Sequence, residues 1–152
     1  MKLLIAEDHA ISRRVLEHML TKSGYEVVVA EDGKQAWTAL HQDEPPRLLV
    51  LDWMMPGMDG IEVCRKIRAR FGSNSTYIIM LTCKDKPEDK EAAYAAGADN
   101  YITKPYNIDD LRAHLKAGKR ILELQDKLAE LEYQLCAQPQ EERTADHAGP
   151  NN

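Results

Sequence analysis

Five short apolar runs alternate along this chain with segments of helical character, and this alternation constrains its fold more than any other feature. Most of the runs are continuous rather than polar at every second position, which is typical of strands covered on both faces. Parallel strands are joined by right-handed crossovers, so the pattern predicts five βα units in a doubly wound α/β sheet. The predicted strands are residues 2–6 (KLLIA), 25–30 (YEVVVA), 47–51 (RLLVL), 77–81 (YIIML) and 100–103 (NYIT).

The segments between the strands carry helix signals. Residues 87–98 (PEDKEAAYAAGA) begin with a proline and acidic residues, and a glycine near their end suits a helix exit. With 152 residues, of which 43% are hydrophobic, the chain suits one domain with a short appendage. In the segment after the first strand an apolar stripe is predicted to face the sheet, and its members are Ile11, Val15, Leu16, Met19 and Leu20.

The composition argues against several classes of function. A net charge of −5 gives no general attraction to nucleic acid or anionic lipid, so we expect neither DNA binding nor membrane association. No apolar run approaches the roughly 20 residues of a membrane helix, and the first residues are too short for a secretory signal. Cys64, Cys83 and Cys136 are scattered and form no CxxC pair, which indicates reduced thiols and a cytoplasmic protein.

Four of the five predicted strands end in chemically active side chains. Because the carboxyl ends of parallel strands share one edge of the sheet, and ligands bind at that edge, we expect these groups to meet. The second strand ends instead in Glu31 and Asp32, which we interpret as the solvated start of the next helix. The groups at the other four strand ends are Glu7, Asp8, Asp52, Thr82 and Lys104.

Three carboxylates a few ångströms apart repel one another, and a proton or a cation must relieve that repulsion. Mg²⁺ suits such a site, since it prefers oxygen ligands, keeps several waters and binds through one or two carboxylates. We expect Asp8 and Asp52 to be direct ligands, with the backbone carbonyl of Met54 as a further one. Glu7 is expected to act through water or by shaping the electrostatic field of the site.

Asp52 is also the candidate phosphoacceptor, because its carboxylate can form an acyl phosphate. Phosphoryl transfer depends mainly on positioning and on positive charge beside the phosphoryl oxygens. Lys104 would supply a compact positive charge to one of these oxygens, and the hydroxyl of Thr82 would donate a hydrogen bond to another.

Four motifs, LLIAEDH, LLVLDWMMPGMDG, IIMLT and YITKPY, closely resemble in order and spacing those of the receiver domain of two-component response regulators. The resemblance covers residues 1–119. It implies a flavodoxin-like (βα)5 fold with strand order 2-1-3-4-5. It also implies that a sensor histidine kinase or a phosphotransfer protein phosphorylates Asp52 with Mg²⁺. Such a receiver is a signalling protein rather than an enzyme.

The resemblance further implies a conformational switch. In that family the phosphate draws the Thr82 position inward, and the aromatic side chain at the Tyr101 position rotates into the vacated space. The face formed by the fourth helix, fifth strand and fifth helix then changes, as a population shift between two states. The bond between Lys104 and Pro105 is usually cis in the family.

This chain departs from the common pattern of the family at two positions. Cys83 stands where the family most often has alanine or glycine, and Trp53 is a bulky residue directly after Asp52. Trp53 is expected to frame the mouth of the crevice together with Met54 and Lys84. We expect these residues to tune the rate of dephosphorylation.

Two other classes of function are alternatives to a receiver. A phosphohydrolase with an aspartyl-phosphate intermediate typically carries a second aspartate two residues after the nucleophile as acid and base, but this chain has Met54 there. An interaction module with a degenerate site is disfavoured because all five site residues are present.

The last helix has a leucine repeat beyond the domain. It is predicted to begin near Asn107 and to meet no stop signal before Pro139. Its residues 120–138 form a predicted coiled-coil extension that would pair two chains as a parallel homodimer, and 139–152 a disordered tail. Receivers with a diguanylate cyclase use such helices, so the chain is alternatively a regulatory fragment of a larger regulator. The repeat consists of Ile121, Leu124, Leu128, Leu131 and Leu135.

Overall fold

The computed structural model describes residues 1–137 and contains five strands that alternate with five helices. All strands are parallel, in the order β2-β1-β3-β4-β5, so the predicted fold is confirmed. The elements are β1 (Lys2–Ala6), α1 (Ala10–Lys22), β2 (Glu26–Ala30), α2 (Gly33–Ala39), β3 (Leu48–Asp52), α3 (Gly60–Phe71), β4 (Tyr77–Thr82), α4 (Pro87–Ala96), β5 (Asn100–Thr103) and α5 (Ile108–Cys136).

The central strands β3 and β4 are buried along their whole length, as their continuous apolar runs predict. Both strands nevertheless end one residue later than predicted, because each includes the polar residue that follows its apolar run. Asp52 pairs with Leu81, and Thr82 pairs with Thr103. The sheet therefore positions both polar residues through regular backbone pairing rather than through a loop.

Each face of the sheet packs against its own set of helices. Helices α1 and α5 cover one face, and α2, α3 and α4 cover the other. In α1 only Leu16 and Leu20 of the predicted stripe are buried, and the prediction was wrong for Ile11 and Val15. Those two side chains are exposed beside the segment that follows β5, where they line a groove of about 290 Å³.

Helix α5 begins where its predicted cap places it. The Asn107 side-chain oxygen accepts a hydrogen bond from the backbone N–H of Asp109 at 2.8 Å. The chain divides into a compact unit from Met1 to Leu122 and a second unit that begins at Glu123. Among residues 1–137, no helix is long and apolar enough to cross a membrane. The predicted disordered tail, 139–152, lies outside the described residues.

Candidate functional site

The strand register brings the predicted site residues to one edge of the sheet. Ala6 pairs with Leu51, so the residues that follow β1 lie beside Asp52 at the end of β3. Thr82 ends the next strand, and the backbone N–H of Lys104 donates to the carbonyl of Thr82 at 2.8 Å. Four separate segments of the chain thus converge on one crevice.

An acidic cluster occupies this crevice. One carboxylate oxygen from each of Glu7, Asp8 and Asp52 lies within 4.8 Å of the others. Asp52 and Glu7 are only 5% and 2% exposed, whereas Asp8 is exposed to solvent. Two buried carboxylates and one accessible carboxylate form a site with oxygen ligands that is open on one side, which suits a hydrated Mg²⁺ ion.

Lys104 connects the two buried acids. Its ammonium lies 2.9 Å from Glu7 Oε2 and 3.0 Å from Asp52 Oδ2. Burial alone would lower the pKa of Lys104, but the hydrogen bonds and negative charges of Glu7 and Asp52 outweigh it and raise that pKa. The side chain therefore stays a fixed cation inside the crevice.

The charge of Asp52 is costly in this environment. Burial and the neighbouring Glu7 raise the pKa of Asp52 to about 6, although the ammonium of Lys104 acts in the opposite direction. One ammonium cannot compensate three carboxylates, so the crevice carries an excess of negative charge. A divalent cation at the cluster would remove this excess.

Backbone groups hold the two buried carboxylates in place. The N–H of Met54 donates to Asp52 Oδ1 at 3.3 Å, and the N–H of His9 donates to Glu7 Oε1 at 3.2 Å. The loop after β3 turns closely over the strand at Gly60, where a Cβ atom would lie 2.4 Å from the Asp52 carbonyl oxygen. The predicted role of the Met54 carbonyl stays a prediction.

The predicted switch residues lie on the neighbouring side of the crevice. Thr82 is fully buried, and its Oγ1 accepts a hydrogen bond from the N–H of Lys84 at 3.1 Å. The hydroxyl of the half-buried Tyr101 donates to the carbonyl of Lys84. The peptide bond between Lys104 and Pro105 is cis, as the resemblance implies.

The acids after β2 do not belong to the cluster. Asp32 caps α2 by accepting from the N–H of Gln35 at 2.8 Å, which agrees with its interpretation as a helix start.

Sequence reasoning missed Arg13, whose guanidinium donates to the carbonyls of Glu7 and Asp8 at 3.0 and 3.3 Å. No spacing rule marks this contact, because it depends on how α1 packs beside the turn after β1.

Comparisons with known proteins agree with this architecture. The receiver domain of response regulator 1452 from Francisella is 32% identical, with a TM-score of 0.72, and the match covers 78% of this chain and 97% of that one. The BeF3-activated N-terminal receiver domain of RstA from Klebsiella pneumoniae is 29% identical, with a TM-score of 0.71 and coverages of 78% and 97%. A two-component system response regulator/GGDEF domain protein is 26% identical, with a TM-score of 0.76, and the match covers 81% of this chain but 50% of that one.

Receiver domains bind Mg²⁺ at an acidic pocket and are generally signalling domains without enzymatic activity of their own. The acidic cluster described above has the ligand chemistry of such a pocket. Residues 3–116, most of the chain, match the response regulator receiver domain family, and this protein therefore belongs to that family.

Proposed function

We propose that this protein accepts a phosphoryl group on Asp52 from a histidine kinase or a phosphotransfer protein. The observation that carries the proposal is the buried Asp52 carboxylate, 3.0 Å from the Lys104 ammonium and within 4.8 Å of two further acids. A carboxylate oxygen of Asp52 attacks phosphorus, and an acyl phosphate forms as the phosphorus–nitrogen bond of the donor's phosphohistidine breaks.

The other site residues position the incoming group. Asp8, Asp52 and the backbone carbonyl of Met54 would hold Mg²⁺ directly, and Glu7 would do so through water. Bound Mg²⁺ would neutralise charge on the phosphoryl oxygens. Lys104 provides a second, permanent positive charge, and the Thr82 hydroxyl donates a hydrogen bond to a phosphoryl oxygen.

The groove between α1 and the segment after β5 offers the donor a docking surface. Exposed Ile11 and Val15 line it on one side, and Pro105 and Tyr106 on the other. The same groove reaches Glu7 and Lys104 of the site. A donor helix with an apolar face beside its phosphohistidine would bury these side chains while it delivers the phosphoryl group.

Labelling with a small acyl-phosphate donor and Mg²⁺ tests the phosphoacceptor. The wild-type chain is expected to gain one phosphoryl group by intact-mass spectrometry, and Asp52→Asn should gain none. Asp59→Asn is the matched control, because it is the same substitution at an aspartate seven residues later. The Asp59 side chain caps α3, and asparagine can also cap a helix. Label that persists in Asp52→Asn at wild-type stoichiometry would refute the assignment.

We further propose that phosphorylation changes the face formed by α4, β5 and α5, and that two chains pair in parallel through the leucine seam Leu124, Leu128, Leu131 and Leu135. These leucines are 55–60% exposed in the single chain. In a parallel pair Lys127 and Glu132 of the second chain would occupy facing positions beside the seam, where their opposite charges attract.

A second candidate is that the chain is the regulatory part of a larger response regulator such as a diguanylate cyclase. The observation that favours it is the similarity to half of a response regulator/GGDEF domain protein. The phosphoreceiver chemistry proposed for Asp52 is the same in both cases, and only the output that it controls differs.

A further inference from the structure

Arg13, in the first turn of α1, bonds the backbone that carries two of the site acids. Its Nη1 donates to the carbonyl oxygen of Glu7 at 3.0 Å and to that of Asp8 at 3.3 Å. Its Nη2 lies 3.5 Å from a carboxylate oxygen of the exposed Glu31. The Arg13 side chain is only 15% exposed, so its hydrogen bonds to the two carbonyls are partly shielded from water.

The carboxylate of Asp8 is held differently from those of the two buried acids. Lys104 donates to both Glu7 and Asp52, and a backbone N–H donates to each of them as well. Within residues 1–137, no hydrogen bond or ion pair reaches the Asp8 carboxylate. Its position therefore depends on the backbone of the turn after β1, which Arg13 bonds directly.

We propose, resting on the proposed function, that Arg13 is a positioning residue for the metal site, because it holds this turn where the Asp8 carboxylate joins the cluster. One Asp8 oxygen lies within 4.8 Å of oxygens of Glu7 and Asp52, close enough for one ion to be shared. Mg²⁺ requires near-ideal octahedral geometry, so a turn that is free to move costs affinity even when Asp8 keeps its charge. Groups that orient metal ligands commonly affect affinity strongly without touching the metal.

The charge of Arg13 acts in the opposite direction to this positioning. A guanidinium beside the acidic cluster repels Mg²⁺, so its removal would tighten Mg²⁺ binding if charge alone mattered. Loss of positioning weakens Mg²⁺ binding instead. The sign of the change in affinity therefore distinguishes the two effects.

Arg13→Met tests this role, because it removes the donors and the charge but keeps an unbranched side chain. The full chain is titrated with Mg²⁺ alone, and the quenching of Trp53 fluorescence is followed in a Trp37→Phe background. Arg13→Met should bind Mg²⁺ about fivefold more weakly, a loss somewhat below that typical of groups bonded to the ligand side chain itself. Arg14→Met is the matched control, since it removes the same charge at the exposed neighbouring position, and it should bind Mg²⁺ at least as tightly as the wild type.

A double-mutant cycle with Asp8→Asn shows whether the effect passes through Asp8. Arg13→Met should cause no further loss of Mg²⁺ affinity in that background. A loss as large as in the wild-type background would overturn the proposal, since Arg13 would then support the crevice as a whole. Unchanged or tighter binding in Arg13→Met alone would also overturn it. Arg13→Gln provides the same comparison if the methionine variant does not fold.

Failure of the metal site itself gives a different result. A wild-type chain that does not bind Mg²⁺, or an Asp8→Asn variant that binds it as tightly as the wild type, would refute the metal ligands of the proposed function, and this inference with them. Wild-type binding that Asp8→Asn weakens and Arg13→Met does not would overturn this inference alone.

Discussion

At the scale of single residues, the site is organised by charges that oppose one another at the end of a buried strand. Lys104 compensates one carboxylate of the cluster, which leaves two negative charges shared by Glu7, Asp8 and Asp52. Burial makes this excess unfavourable, and the raised pKa of Asp52 is the result. Asp8 is the exposed member of the cluster, so it is the carboxylate that a hydrated cation reaches first.

Asp8→Asn is expected to weaken Mg²⁺ binding about tenfold, because it removes one full charge from the cluster at nearly constant side-chain volume. Quenching of Trp53 fluorescence measures the binding, in a Trp37→Phe background that leaves Trp53 as the only tryptophan of the chain. Asp32→Asn is the control, since Asp32 caps α2 and lies outside the cluster. An Mg²⁺ titration that Asp8→Asn leaves unchanged would remove Asp8 from the metal site.

At the scale of elements, α5 packs unusually closely on the sheet. Gly118 is buried in the middle of this helix, where glycine is intrinsically unfavourable by about 1 kcal/mol relative to alanine. The packing explains why glycine is there. A Cβ atom on Gly118 would lie 2.4 Å from Cδ1 of Tyr77, a ring that belongs to β4.

Gly118→Ala should therefore destabilise the protein by about 1–2 kcal/mol, because overpacking against Tyr77 outweighs the gain in helix propensity. Urea unfolding followed by circular dichroism measures the change. Ala117→Gly, at the exposed neighbouring position, calibrates the propensity term and should cost about 1 kcal/mol. A Gly118→Ala variant that is more stable than the wild type would show that Tyr77 can move aside.

At the scale of the whole molecule, the proposed dimer depends on the leucine seam of α5. Leu124→Ser together with Leu128→Ser should halve the mass that light scattering reports, because two central apolar positions of the proposed coiled coil become polar. Glu123→Ser together with Glu130→Ser is the matched control, since both residues lie outside the seam on the same helix and the dimer should persist. A double leucine variant that keeps the mass of a dimer would refute the seam as the interface.

Much of this protein follows from patterns that are local in the sequence. Continuous apolar runs separated by amphipathic segments predict a covered parallel sheet, because a strand buried on both faces must be apolar on both. Parallel strands align their carboxyl ends, so the site residues after β1, β3, β4 and β5 were predicted to meet at one edge, and the structure brings Glu7, Asp8, Asp52 and Lys104 together there.

Contacts between distant elements could not be predicted in this way, because periodicity says which face of an element is apolar but not which side chain of another element it meets. Examples are the placement of Arg13 over the turn after β1, the ammonium of Lys84 on Trp53, and the exposure of Ile11 and Val15. Helix propensity alone gives no reason for Gly118 inside α5, and the ring of Tyr77 supplies one. These features depend on packing distances of a few ångströms, which arise only when helices and sheet are assembled.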